Sequence, residues 1–225
     1  MHGFRTLLGR RQFPGRWPAS FVLMALSVFW FVIVETIFGH STQGLVRSGA
    51  LAGLLVSHGQ WFRLLSSLFV HVTFVHLFVN MISLWSLVLV ENLVGTNVFL
   101  VIYLVSGILG NAVSLVFTPG NVISAGASGA IFGLFGAMLT LAMLKILPVV
   151  VRNQLFILLA INVVLDITHS EIDWLAHLGG MIAGVLLTLL YVRAVKRPKF
   201  WRIWAWTVGV LAGFSLVLTL FTRIP

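Results

Sequence analysis

The sequence predicts an all-α polytopic membrane protein with seven transmembrane helices. Two features of the composition support this fold class: 60% of the 225 residues are hydrophobic, and only 8% are charged. Soluble domains average about 25% charged residues, and a soluble domain of this size could not bury so much apolar surface. The mean hydropathy of +1.09 agrees with a membrane protein, and no segment is polar enough to form a separate soluble domain.

Seven apolar segments approach the roughly 20 residues that an α-helix needs to cross a bilayer. They cover residues 19–38, 74–90, 97–117, 124–144, 149–167, 174–192 and 204–221. The connection at 39–73 is long and semi-apolar, so we expect it to lie in the membrane interface or to dip into the membrane. Within it, Arg63 is expected to brace the connection, and Glu91 is expected to cap the inner end of the second segment.

The positive charges predict the orientation of the chain. If the seven segments alternate in direction, eleven of the 14 Lys and Arg residues fall on one side, which is then cytoplasmic. The N-terminus is therefore predicted to be cytoplasmic and the C-terminus to lie outside. These cations occupy short loops and tails, so the net charge of +9 is explained by topology, and we expect no nucleic-acid partner. The absence of Cys excludes disulfides and thiolate sites.

Four polar residues fall at one predicted depth in three parallel segments. The second, fourth and sixth segments all run from the outside to the inside, and they carry His76 and Asn80, Ser128, and His177 near their starts. At ~1.5 Å per residue, all four lie within roughly 10 Å of the outer helix ends. Polar residues with unrelated structural roles would have no reason to align in this way.

Ser128 lies among glycines, and the sixth segment carries matching ones. These are Gly126, Gly129, Gly133, Gly136, Gly180 and Gly184. Small residues at such spacing allow close helix packing, which is the usual role of a membrane serine. Close packing of the fourth and sixth segments would also bring the Ser128 hydroxyl to the His177 imidazole. A serine beside a neutral imidazole is the minimum set for an activated oxygen nucleophile.

The histidines also have other possible roles. His177 could be a heme or metal ligand, a proton relay or a hydrogen-bonded core residue, and His71, His76 and His177 together form a possible metal set. His76 and Asn80 are four residues apart and share one helix face. They are either an interhelical hydrogen-bonding pair or two donors aimed at negative charge developing on a carbonyl oxygen.

Two further residues have competing interpretations. Phe132 lies one turn after Ser128 and either stacks on the imidazole or packs in the core. Asp173 lies four residues before His177 and could orient its ring in a catalytic triad. It also falls at the predicted water boundary, where it could point away, so a Ser–His dyad is the simpler hypothesis.

Six short motifs occur in order along nearly the whole chain. They are Trp61-Phe62-Arg63, His71, His76-Leu77-Phe78-Val79-Asn80, Glu91-Asn92-Leu93-Val94-Gly95, Gly126-Ala127-Ser128-Gly129 and Ala176-His177-Leu178-Gly179-Gly180. Each motif is weak alone, but in this order and at these depths they resemble the rhomboid intramembrane serine proteases. The seventh segment is similar to the bacterial arrangement of a six-helix core followed by one C-terminal helix.

The resemblance implies a role for each matching residue. Ser128 would be the nucleophile and His177 the general base and acid. His76, Asn80 and the Ser128 backbone N–H would form the oxyanion hole. No metal or organic cofactor is implied.

The resemblance also implies supporting residues and a division of the chain. Gly126 and Gly129 would support the site, as would Phe132, which replaces a tyrosine that stacks on the catalytic histidine in many relatives. Residues 1–18 would be a cytoplasmic tail, residues 19–194 a six-helix catalytic core, and residues 195–225 a basic connection with the seventh transmembrane helix.

The expected activity follows from the same resemblance. The protein would cut membrane-anchored protein substrates near the outer face of a bacterial plasma membrane, with the lipid bilayer as its other partner. Substrates would carry helix-weakening small residues near the cleavage site. One alternative is an inactive rhomboid-like protein that binds membrane clients, and another is a transporter or heme-type carrier, although no inverted repeat is visible.

Overall fold

The computed structural model describes residues 18–118, 123–147, 149–168, 173–194 and 197–222, and this part of the chain is almost entirely helical. The predicted N-terminal tail, apart from residue 18, lies outside it. The helices are α1 (Ala19–Phe38, with a π-helical stretch at Trp30–Glu35), α2 (Thr42–Arg47), α3 (Gly53–Ser57), α4 (Arg63–Ser66), α5 (Phe74–Ser86), α6 (Val88–Val94), α7 (Thr96–Phe117), α8 (Ser128–Met143), α9 (Val149–Thr168), α10 (Trp174–Arg193) and α11 (Pro198–Phe221).

Each of the seven predicted apolar segments forms helix. Within the described ranges, five helical segments are long and apolar enough to span a membrane: α1, α5 continued by α6, α7, α10 and α11. The apolar stretches Ser128–Met143 of α8 and Val149–Val164 of α9 are shorter. The prediction of a polytopic helical membrane bundle is therefore confirmed, while a membrane-spanning role for α8 and α9 remains a prediction.

Three helix boundaries differ from the prediction by more than one residue, each for a local reason. The second span continues through α6 and ends at Gly95, where φ is +86°. The last helix begins at Pro198 rather than near residue 204, because proline suits the first position of a helix. The fourth begins at Ser128 rather than Ser124, because Ser124 pairs in a strand and Gly126 has φ +132°.

The long connection between α1 and α5 is fastened to the segment that leads into α8. Leu51–Ala52 pairs antiparallel with Ile123–Ser124, with Leu51 opposite Ser124. The Gly126 N–H then donates to the Ser67 carbonyl at 3.0 Å. The backbone just before Ser128 is therefore held by the connection that precedes α5.

Arg63 braces this connection, as predicted. Its side chain is 1% exposed. The Nη1 atom donates to the carbonyls of Val46 at 2.7 Å and Ala50 at 2.9 Å, and Nε donates to the Gln60 Oε1 at 2.7 Å. Burial lowers the pKa of Arg63 to about 10, and the carbonyls of the connection stabilise the buried guanidinium.

Glu91 caps a different helix from the one predicted. Its carboxylate accepts hydrogen bonds from the Ala19 N–H at 2.8 Å and from the Ser20 N–H and Oγ at 3.0 and 2.8 Å. The Thr96 Oγ1 donates to it at 2.8 Å. The prediction that Glu91 caps its own helix was wrong, since a carboxylate is favoured at a helix N-terminus, here that of α1, rather than at a C-terminus.

Glycines allow α7, α8 and α10 to pack backbone against backbone, and these three helices make the most extensive contacts in the described chain. A Cβ atom on Gly180 would collide with the Gly129 carbonyl, and one on Gly184 would collide with that of Gly133. A Cβ on Gly110 of α7 would meet the α10 backbone in the same way. This close approach sets the distance between the side chains at the starts of α8 and α10.

Candidate active site

The side chains of Ser128 and His177 are in contact. Ser128 is the first residue of α8, and His177 is the fourth residue of α10. The His177 Nε2 lies 2.6 Å from the Ser128 Oγ, which is a short O–H···N hydrogen-bond distance. His177 is 5% exposed, while Ser128 is half-buried. The predicted contact between the Ser128 and His177 side chains, at the starts of α8 and α10, is therefore present.

The His177 ring lies flat against Phe132. The two ring centroids are 4.3 Å apart and the ring planes differ by 8°. Phe132 is 3% exposed, and its ring also packs edge-on against Phe135. Both interpretations of Phe132 are therefore present, since its ring stacks on the imidazole and its side chain packs in the core. The stack limits rotation of the imidazole about its χ2 bond.

His76 and Asn80 reach Gly126 from α5. A Cβ atom on Gly126 would lie 2.8 Å from the His76 Nε2 and 3.5 Å from the Asn80 Nδ2, so only glycine leaves room for both polar groups beside the start of α8. Its φ of +132° is also a conformation that other residues rarely adopt.

Asn80 is 5% exposed, and its Nδ2 has no hydrogen-bond partner within the described ranges. A buried amide donor without a hydrogen-bond partner lowers the stability of the folded protein. Its position beside Gly126 makes this N–H₂ group an available donor next to Ser128. The interhelical hydrogen-bonding pair considered as an alternative is not present for this amide in the described part of the chain.

Gly129 lies in the contact between α8 and α10. The position of a Cβ on Gly129 lies 3.3 Å from the Ala176 carbonyl oxygen. The Gly129 carbonyl in turn lies against Gly180. A Cβ at Gly129 would thus already be in tight contact with the helix that carries His177.

His71 lies behind His76. It is fully buried, its Nδ1 lies 3.1 Å from the Phe69 carbonyl, and its ring centroid is 5.4 Å from that of His76. Burial, together with the neighbouring His76, lowers the pKa of His71 to about 3, so this ring is neutral at physiological pH. In the described part of the chain, no three His, Asp or Glu side chains are grouped as a metal ion would require.

Asp173 caps α10. Its Oδ1 accepts from the Ala176 N–H at 3.1 Å, and its Oδ2 accepts from the Ser114 Oγ of α7 at 2.6 Å. Both oxygens of the Asp173 carboxylate, which was considered as a possible triad member, therefore have partners at the start of α10 and on α7.

Sequence reasoning missed several of the polar groups that surround the site. Ser114 was one of them. Asn111 was another, and its Nδ2 donates to the Leu64 carbonyl and the Ser67 Oγ, both at 2.9 Å. The same Ser67 holds Gly126 through its carbonyl. The available signal was the spacing of Asn111 and Ser114, two polar residues three apart within an apolar segment.

Comparison with known proteins places this arrangement in a family. A family model described as "Rhomboid domain" matches residues 58–194, a range that contains all the predicted site residues. The chain belongs to the rhomboid family. It is 37% identical over 174 residues to "Rhomboid protease GluP" and 32% identical over 197 residues to "Putative rhomboid protease YdcA", both of Bacillus subtilis.

The coverage of these relatives differs. The match to GluP takes in 76% of this rhomboid chain and 34% of GluP, so the chain spans about a third of that relative. The match to YdcA takes in 86% of this chain and 96% of the relative. A third relative, "Rhomboid-like protease 3" of Toxoplasma gondii, is 29% identical over 231 residues, which are 96% of this chain and 88% of the relative.

Proposed function

We propose that this rhomboid is an intramembrane serine endopeptidase with a Ser128–His177 catalytic dyad. The observation that carries the proposal is the 2.6 Å contact between the Ser128 Oγ and the His177 Nε2, at the N-terminal ends of two packed helices. Family membership and the relatives named as rhomboid proteases support an intramembrane protease. The dyad, the substrate and the membrane face are parts of the proposal.

The contact supports activation of the serine. With the imidazole proton on Nδ1, the Nε2 atom accepts the hydrogen bond from the Ser128 hydroxyl and takes its proton as the oxygen attacks a peptide carbonyl. The new Oγ–C bond forms while the carbonyl π bond opens to an oxyanion. The stack of His177 on Phe132 holds the ring in the orientation that this transfer requires.

In this proposal, three groups stabilise the oxyanion. The Asn80 Nδ2 and the His76 ring border Gly126, and the Ser128 N–H is one of the first amides of α8, which have no partner inside the helix. One donor of this kind contributes about 2.7–4 kcal/mol to transition-state stabilisation. The positive end of the α8 dipole adds to their effect.

The rest of the cycle uses the same pair of residues. His177 returns the proton to the leaving amine as the peptide C–N bond breaks, which leaves an acyl group on Ser128. A water molecule then attacks the acyl carbon and gives its proton to His177. The bond from the Ser128 Oγ to the acyl carbon breaks as His177 passes that proton to Oγ, which releases the acid and restores the hydroxyl. Every proton and electron pair is accounted for without a metal or organic cofactor.

The proposed substrates are proteins anchored in the membrane. A peptide bond within a transmembrane helix is shielded by its own hydrogen bonds, so we propose that substrates unwind locally at small or helix-weakening residues near the outer face. The proposed location is a bacterial plasma membrane, with the N-terminus cytoplasmic and the C-terminus outside. The positive charges of the sequence support this orientation.

Cleavage of a membrane-anchored reporter in proteoliposomes tests the proposal. Wild type is expected to cut the reporter, while folded Ser128→Ala and His177→Ala proteins are expected to lose at least about 10³-fold in rate. Absence of cutting by wild type across several reporters would favour an inactive client-binding protein. Full activity in either variant would refute the dyad.

A further inference from the structure

Asp173 and Ser114 form contacts that the proposed mechanism does not use. Asp173 is the N-cap residue of α10, and its two carboxylate oxygens accept from the Ala176 N–H and from the Ser114 Oγ. His177 follows one turn later, and its N–H donates to the Asp173 carbonyl at 3.2 Å. The residue proposed as general base thus lies in the one turn of α10 that Asp173 organises.

We infer that Asp173 and Ser114 are positioning residues that hold His177 at Ser128. This inference rests on the proposed catalytic roles of Ser128 and His177. The first turn of a helix has amides without intrahelical partners and frays unless it is capped. The Asp173 cap keeps that turn helical, and the hydrogen bond to Ser114 fixes the turn to α7 as well.

Tight packing of α7 against α10 next to Ser114 makes this attachment specific. Gly179 of α10 lies so close to Val113 that a Cβ atom would be 2.8 Å from the Val113 Cβ. One turn away, Gly110 lies against the backbone of Ala176. The α7 surface therefore fixes the position of α10 along its axis. The 2.6 Å hydrogen bond from Ser114 to Asp173 fixes the rotation of the first turn of α10. That rotation aims His177 at α8.

A positioning role differs from a triad role in its dependence on charge. A triad aspartate stabilises the imidazolium by its negative charge. A positioning residue needs only the two hydrogen bonds. An asparagine can keep both, since its carbonyl oxygen can accept from the Ala176 N–H and its amide can donate to the Ser114 Oγ. Asparagine is also among the best N-cap residues.

The test is the kinetics of labelling by a fluorophosphonate probe in detergent. The amplitude measures the fraction of active molecules, and the rate constant measures the reactivity of each one. Asp173→Ala is expected to lower the rate constant about ten- to a hundredfold at full amplitude, as small displacements of catalytic groups do. Ser114→Ala, which leaves the cap in place, is expected to lower it about threefold to tenfold. Asp173→Asn is expected to stay within about threefold of wild type.

Thr207→Ala serves as the matched control. Within the described residues its hydroxyl bonds to the Ile203 carbonyl one turn earlier, on the exposed side of α11, so it is expected to label like wild type. A smaller amplitude at an unchanged rate constant would show a purely structural role and overturn the inference. An Asp173→Asn protein as slow as Asp173→Ala would show a role of the charge and overturn it as well.

The outcomes separate this inference from the proposed function. If wild type is not labelled, or Ser128→Ala is labelled equally, the proposed function fails. If wild type is labelled on Ser128 and both Asp173→Ala and Ser114→Ala react at the wild-type rate, only the positioning role fails. Should Asp173→Ala yield no folded protein, Ser114→Ala and Asp173→Asn decide the question by the same rate constants.

Discussion

The two halves of the candidate site stand on helices that are packed very differently. Ser128 and His177 belong to α8 and α10, which with α7 form the glycine-packed centre of the molecule; 13 of the 16 residues of α8 are buried. His76 and Asn80 belong to α5, where only 4 of 13 residues are buried. One face of α5, including Phe74, Phe78 and Trp85, is exposed.

Because of this difference in packing, we expect substitutions in the two halves of the site to have different effects. The proposed nucleophile and base are held by the same close packing that holds the fold together, so their geometry is fixed as long as the core is folded. The proposed oxyanion donors stand on a helix with a narrow buried face, and the Asn80 amide has no partner in the described chain. Changes in the core should therefore unfold the protein, while changes on α5 should reduce activity in a folded protein.

The largest expected effect is on the stability of the core. Gly184→Leu would drive a side chain into the backbone of Gly133, and we expect a loss of more than about 4 kcal/mol in the free energy of unfolding. Gly213→Leu is the matched control, because in the described part of the chain a Cβ there would have no atom within 4 Å outside its own stretch of helix. Thermal unfolding in detergent measures both. Equal stability of the two variants would contradict the description of the core.

Two buried asparagines provide the next comparison. Asn80 on α5 and Asn111 on α7 are both 5% exposed, but only the Asn111 amide donates hydrogen bonds within the described chain. We expect Asn111→Ala to lose about 1–3 kcal/mol of stability. Asn80→Ala should keep its stability and lose about ten- to a hundredfold in cleavage rate, since other oxyanion donors remain. A destabilised Asn80→Ala protein with a normal cleavage rate would show that Asn80 has a structural role and is not an oxyanion donor.

The buried His71 should make the stability depend on pH. Its pKa is lowered to about 3 in the folded protein, from an ordinary value of about 6.5 in the unfolded chain. The unfolded state therefore binds a proton first as the pH falls, so the stability that is present above about pH 6.5 is lost progressively below it. From pH 7.5 to pH 5 we expect a loss of about 1–2 kcal/mol.

Thermal unfolding at the two pH values measures this loss. His71→Asn, which lacks the titrating ring, should show a flatter dependence on pH than wild type. His58→Gln, which changes an exposed histidine of the connection, should keep the wild-type dependence. A wild-type dependence in His71→Asn would show that another group is responsible.

The smallest expected effect concerns the stack on His177. Phe132→Tyr keeps the aromatic face and should cleave at nearly the wild-type rate. Phe132→Leu keeps an apolar side chain but removes the ring, and we expect about a two- to tenfold slower cleavage, which corresponds to the 0.5–1.5 kcal/mol of an aromatic pair. Rates are compared at equal amounts of folded enzyme. A Phe132→Leu protein as fast as wild type would show that the stack contributes nothing.

Much of this arrangement could be predicted from sequence, because polar and small residues stand out in apolar segments. Ser128, His177 and the glycines around them were found in this way, and the structure brings the two side chains into contact. Helix starts were less predictable. The start of α8 depends on the backbone conformation of Gly126 and on strand pairing with a distant connection.

Other partners far apart in sequence could not be predicted. Glu91 bonds to the start of α1, 72 residues away, and Ser114 bonds to Asp173, 59 residues away. Such pairs depend on which helices become neighbours, and the hydrophobic pattern of a membrane protein, in which most faces are apolar, carries little of that information.

The most direct test of the central claim is the location of a covalent adduct. Intact and peptide mass spectrometry after treatment with a fluorophosphonate probe should place one adduct on Ser128 in wild type. His177→Ala should react far more slowly and Ser128→Ala not at all. An adduct on another residue, or equally fast modification of Ser128 without the His177 imidazole, would contradict the claim that this histidine activates this serine.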